Sequence, residues 1–148
     1  MNELDNLAKE LFQKFSRFEY ALKAAGFHTG EGEAKADWRN FALSIEKDLA
    51  NPEGNLKAAI EYILTQPPRK QVIRNGLLEW DPSAPTTNSQ ADLILLYIRR
   101  IRNNLFHGGK FNGHWFDPPR SAELLRSSLT VLDACLEAST DVRVAFYD

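Results

Sequence analysis

The feature that most constrains this chain is a helical stripe that keeps returning. Leu4, Leu7, Leu11, Phe15, Phe18 and Leu22 recur at spacings of three and four, so on a helix they fall on one face. The spacing predicts an amphipathic helix from about Glu3 to Ala25. Gly26 is placed to end it, because glycine accepts the left-handed backbone of a helix stop.

The same period appears four more times, each between recognisable stops. Asp37 can cap a second helix through Trp38, Phe41, Ile45 and Leu49, which Asn51-Pro52 breaks. Pro52 suits the first turn of a third helix, through Leu56, Ile60, Ile63 and Leu64, which halts at Pro67-Pro68. Ser89, followed three residues later by Asp92, resembles a capping box and opens a fourth helix through Ile94, Ile98, Ile101 and Leu105. Pro119 or Arg120 opens a fifth, through Leu124, Leu125, Leu129, Leu132 and Leu136. A helix with one apolar stripe must bury it against other helices, so the pattern predicts an all-α, up-and-down bundle of about five helices.

The remainder carries weaker patterns. Residues 28–36 form a glycine-rich, charged loop, and Arg69 to Asn88 read as an irregular connector with room for one helical turn. Trp80 is expected to tuck against the core, while Arg69, Lys70 and Arg74 read as a solvated basic loop, with contact to RNA as the alternative. In the tail, Val142, Val144 and Phe146 alternate with polar or small residues, which fits a short strand or an extended segment laid on the bundle.

Length and composition bound the rest. At 148 residues, 1–148 suits a single domain, and 43% hydrophobic with 26% charged residues is globular usage. No apolar run reaches the ~18 residues a membrane helix needs. The opening MNELDNLAKE is acidic and amphipathic, unlike a secretory leader, so a cytoplasmic protein is expected. Cys135, the single cysteine, has no disulfide partner and reads as a buried small hydrophobe beside Val131, Leu132 and Leu136.

Net charge is −2, yet the distribution is uneven. Between Asp92 and Asp117 there is no acidic residue, while Arg99, Arg100, Arg102 and Lys110 fall inside that window. In the same window Asn103 and His107 stand four apart, so on a helix the asparagine can orient the imidazole. Gly108 and Gly109 end the helix and leave His107 near its negative pole, which favours the protonated ring. Arg102 can reach round to the same groove with a paired-donor fork.

A near-neutral acid/base beside a phosphate-binding fork is what cleavage of an RNA backbone requires. Arg99, Arg100, Asn104 and Lys110 are the candidate substrate contacts. No cofactor or metal is expected: the three histidines are His28, His107 and His114, no HExxH or carboxylate cluster is present, and His107, His114 and Asp117 are the one conceivable metal set. A plainer arrangement is also open, in which His107 caps the helix end and Arg102 pairs with a carboxylate such as Glu19. Glu19 itself either pairs with Lys23 as a solvated charge or faces a groove. The aromatics Phe106, Phe111, Trp115 and Phe116 suit either a partner surface, as in a dimerising adaptor, or a lid on the core.

The string RNNLFH, with four residues between Arg102 and His107, resembles the RX4–6H motif of the HEPN superfamily, α-helical bundles found in prokaryotic toxin and defence proteins. The wider RNNLFHGGKF and the first-helix SRFEYALKAAGF also look similar to that family. The resemblance implies a metal-independent endoribonuclease that leaves 2′,3′-cyclic phosphate ends. It assigns Arg102 to the scissile phosphate, His107 to acid/base work and Asn103 to orienting them. It also implies a homodimer with a shared cleft, RNA as partner, and an antitoxin or other partner protein. Non-catalytic RNA-binding or protein-interaction members exist, and that is the alternative. Members paired with a nucleotidyltransferase antitoxin often carry a tyrosine two positions after the histidine; here that place is Gly109.

Overall fold

The first stripe folds as α1, Glu3–Ala24, whose amino end is capped by Asn2, its side chain accepting the Asp5 N–H at 2.9 Å. At the other end Gly26 takes φ 94°; the Phe27 N–H returns to the Leu22 carbonyl and the Gly26 N–H to that of Lys23, the paired bonds of a Schellman stop. Leu11, Phe15, Phe18 and Leu22 are all buried on the inward face. The computed structural model describes residues 2–106 and 117–148, with the backbone alone at 110–111 and 114–115.

The second helix, α2, is Trp38–Ser44, shorter than its stripe predicts. Ile45 and Leu49 are buried all the same, carried inward by turns that begin at Ile45. Apolar spacing reports which residues face the core, and a run of turns can satisfy it as well as a helix. Helix α3 spans Gly54–Thr65, with Pro52 lying outside it rather than in its first turn.

The expected irregular connector is instead a β-hairpin. Strands β1, Lys70–Arg74, and β2, Leu77–Asp81, pair antiparallel from Lys70↔Asp81 to Arg74↔Leu77. Asn75 and Gly76 turn the chain with φ of 52° and 77°, the positive pair that a tight type I′ turn requires. Arg74 bridges to Asp81 at 2.7 Å on one face. Trp80, on the other face, is 38% exposed and does not enter the core.

Helix α4, Gln90–Phe106, begins as its sequence predicts, with the Asp92 N–H donating to the Ser89 hydroxyl at 3.0 Å. The Asp92 carboxylate turns away to accept from Thr87, so the reciprocal half of the box is absent. The Ser89 N–H donates to the Thr87 hydroxyl instead, and Glu46, from the turns after α2, caps the same helix end. Its carboxylate accepts from the Ser89 hydroxyl and from the Gln90 and Ala91 N–H groups, placing negative charge at the positive end of α4.

A two-residue ladder, β3 Lys110–Phe111 with β4 His114–Trp115, precedes α5, Pro118–Ala138, which Asp117 caps. The tail is neither a strand nor extended: it is a helix, α6, Thr140–Tyr147. Val142 and Phe146, four apart and buried, meet α1, and Arg17 of α1 donates to the Phe146 carbonyl while stacking over its ring. Helical pairing of residues i and i+4 against α1 overrides the two-residue alternation.

The described residues therefore form a predominantly α-helical fold with six helices, the hairpin and the short ladder. Helix α5 packs on α1 and α3, and α2 packs on α4. Among the described residues no helix is long and apolar enough to cross a membrane. Cys135 is fully buried, and burial pushes its thiol up to about 12.

Candidate functional site: a basic groove beside helix α4

Helix α4 turns Ile94, Leu95, Ile98 and Ile101 into the core. Arg99 and Arg102, three residues apart, consequently share one flank of the helix. That flank meets an aromatic platform supplied by the two preceding amphipathic segments. Trp38 of α2 stacks on Phe15 and Phe18 of α1, with ring centroids 5.0 and 5.2 Å apart. The Arg102 guanidinium carbon lies 4.8 Å from the Phe15 centroid, and that of Arg99 lies 5.9 Å from the Trp38 ring. Both are cation–π contacts that hold the planar forks in place.

In each arginine the Nε atom is shut from solvent and has no hydrogen-bond partner among the described residues. Burial pulls the Arg99 pKa below the usual guanidinium value; the Arg102 charge pulls the same way, while Asp92 and Glu19 oppose it. Two half-buried like charges are held side by side without an ion pair to either among the described residues. An incoming anion would relieve both costs.

These arginines line a groove of about 800 Å³. Lys23, Lys35, Lys70 and Arg100 add to its cationic lining, and Glu19 is the acidic member among the described residues. Such a wall of one sign beside a low-dielectric core focuses field on an anionic ligand. No family model, curated protein or solved structure matches this chain.

The residues singled out from the sequence separate into distinct groups. Arg99, Arg102 and Asn103 line the groove, Asn103 being exposed. Arg100 and Asn104 line it too, each with a donor nitrogen already engaged by backbone carbonyls. Arg100 Nη1 donates to the Pro68 and Ser83 carbonyls at 3.2 and 3.0 Å, and Asn104 Nδ2 donates to the Arg69 carbonyl at 2.7 Å. Those carbonyls flank the β1–β2 hairpin, so the two side chains fasten the wall that carries Lys70 and Gln71. His107 lies outside the described residues, and with it the expected Asn103–His107 contact and the His107, His114 and Asp117 metal set. Lys110 is described through its backbone in β3.

Glu19 faces the groove without pairing to Arg102. Its Oε2 accepts from the Trp38 indole N–H at 2.9 Å, steadying the ring beneath Arg99. Sequence spacing identified Glu19 as a flank residue but could not reveal a partner nineteen positions away. The contributions of Lys23, Lys35 and Lys70 come from three separate segments and had no local signal beyond charge.

Proposed function

We propose that this chain is a metal-independent endoribonuclease of the HEPN type, holding the RNA backbone in the basic groove and cutting it with Arg102 and His107. The observation that carries this reading is the pair of stacked guanidiniums of Arg99 and Arg102, unpaired among the described residues, in a cationic groove. Arg102 offers donors to the phosphoryl oxygens as charge develops, and its stacking fixes the fork before substrate arrives. His107, five positions on, takes the proton of the attacking 2′-hydroxyl or returns one to the leaving 5′-oxygen, which leaves a 2′,3′-cyclic phosphate. Asn103 orients the ring. Arg99 and Lys110 meet neighbouring phosphates, while Arg100 and Asn104 act mainly by placing the hairpin wall.

The reading includes a homodimer with a shared cleft, a cytoplasmic setting and a role as a toxin or defence effector with a protein antitoxin. A second reading, a non-catalytic RNA-binding module, is favoured by the breadth of the cationic lining, which extends over segments far from the motif. One experiment separates the two. Purified protein incubated with single-stranded RNA in EDTA is expected to yield cyclic-phosphate ends; His107→Ala abolishes cleavage but retains binding, and Arg102→Ala weakens both. Binding without products from the wild-type protein selects the second reading.

A further inference from the structure

A second cavity, of about 380 Å³, adjoins the hairpin base. Its floor is apolar: Ile101 and Leu105 of α4 meet Leu124 and Leu125 of α5. The Trp80 indole of β2 forms a wall and is 38% exposed. Cationic and polar groups stand around the apolar floor. Arg69 and Arg120 face a single acid among the described residues, Asp117, whose carboxylate is engaged in capping α5. Arg120 anchors the hairpin approach by donating to the Pro67 carbonyl, and its Nε is buried with no partner among the described residues. Asn104 lines both this cavity and the basic groove, so the two adjoin across one side chain.

We infer that this cavity is a nucleobase pocket. It takes the planar base of a nucleotide against Trp80, with the attached phosphate toward Arg69 and Arg120 on its rim. A flat, partly exposed indole above an aliphatic floor suits a ring that has left its stack, and a positive rim suits the phosphate tied to that ring. The placement beside Asn104 makes the occupant a base of the same RNA strand whose backbone lies in the groove. This form of the inference rests on the RNA reading above, whereas a free nucleotide would present the same chemistry to the pocket alone.

The test is equilibrium binding of fluorescently labelled single-stranded RNA, intact or with one abasic residue, together with titration of nucleoside monophosphates. Trp80→Ala is expected to weaken intact RNA by about 5- to 150-fold, the range for loss of one base stack. The best-placed abasic RNA should bind wild type as weakly as intact RNA binds the variant, and the variant should not discriminate between them. Ser121→Trp, which fills the pocket from α5 without removing a wall, should reproduce the loss. RNA binding unchanged by both variants would overturn the pocket and leave the groove intact. Absence of RNA binding, with nucleoside monophosphates bound by wild type and lost in both variants, would sink the groove reading and retain the pocket. Binding of neither ligand removes both.

Discussion

At the level of single residues, the four polar positions 99, 100, 102 and 104 divide by what their donors do. Arg100 and Asn104 hold backbone carbonyls, Arg100 also lying over the Tyr97 ring, whereas Arg99 and Arg102 rest on rings and make no hydrogen bond or ion pair among the described residues. Arg100→Ala removes two hydrogen bonds to the hairpin base and is expected to cost about 2 kcal/mol in denaturant unfolding. Arg99→Ala or Arg102→Ala forfeits a cation–π contact of about 1 kcal/mol or less and relieves like-charge crowding, so stability should barely change. If the two kinds of substitution destabilise alike, the division is mistaken. Their identical appearance in the string YIRRIRNN explains why sequence could not make it. The direction of each fork is decided by rings and carbonyls from distant segments.

Among the elements, the hairpin is the one that sequence reading missed, although its strongest signal was in plain view. Asn75-Gly76 is a tight-turn pair, but Leu77 and Leu78 are adjacent and both exposed, so the flanks lack the alternation that marks a half-buried strand. The converse occurred at the tail, where Val142, Val144 and Phe146 alternate yet fold as α6, because Val142 and Phe146, four apart, are buried where α6 packs on α1 while Val144 stays exposed. Helices α1 and α4 were legible because stripe, cap and stop agree within each segment, as with Ser89 and Gly26. The hairpin also has a built-in acid response. Hydrogen bonds from the Ser83 hydroxyl and N–H, helped by Arg74, hold Asp81 at about 2, below its ordinary 3.8. A depressed carboxylate stabilises above its unfolded value and ceases to do so as pH falls through its folded value. Protection of the β1 and β2 amides, taken relative to their intrinsic exchange at each pH, should therefore fall between pH about 4 and about 2, and Asp81→Asn should remove that step.

Over the whole molecule, a chain of net charge −2 presents one strongly cationic face. Affinity for RNA should thus depend steeply on salt even though the protein is acidic overall. On a plot of log affinity against log salt concentration, Arg99→Ala and Arg102→Ala should each lower the slope by about 0.7, the share of one phosphate contact on a single strand. Equal slopes for wild type and both variants would mean that neither arginine touches the backbone. The groove could be anticipated only in part, since the acid-free window between Asp92 and Asp117 marks one wall while Lys23, Lys35 and Lys70 arrive from elsewhere.

The clamp of Ser89 and Glu46 on the first turn of α4 has a further consequence, for how this protein can change over generations. From that clamp to Arg102 the helix runs roughly 20 Å without a proline or glycine, and each residue advances it by about 100°. One codon inserted between Asp92 and Arg99 would swing both guanidiniums off the Phe15 and Trp38 rings, because the clamp holds the near end in place. Lineages should accept many changes of residue along α4 and almost none of length, while the tip of the 28–36 loop, around Gly30 and Gly32 and away from the groove-lining Ala34, Lys35 and Ala36, can absorb insertions.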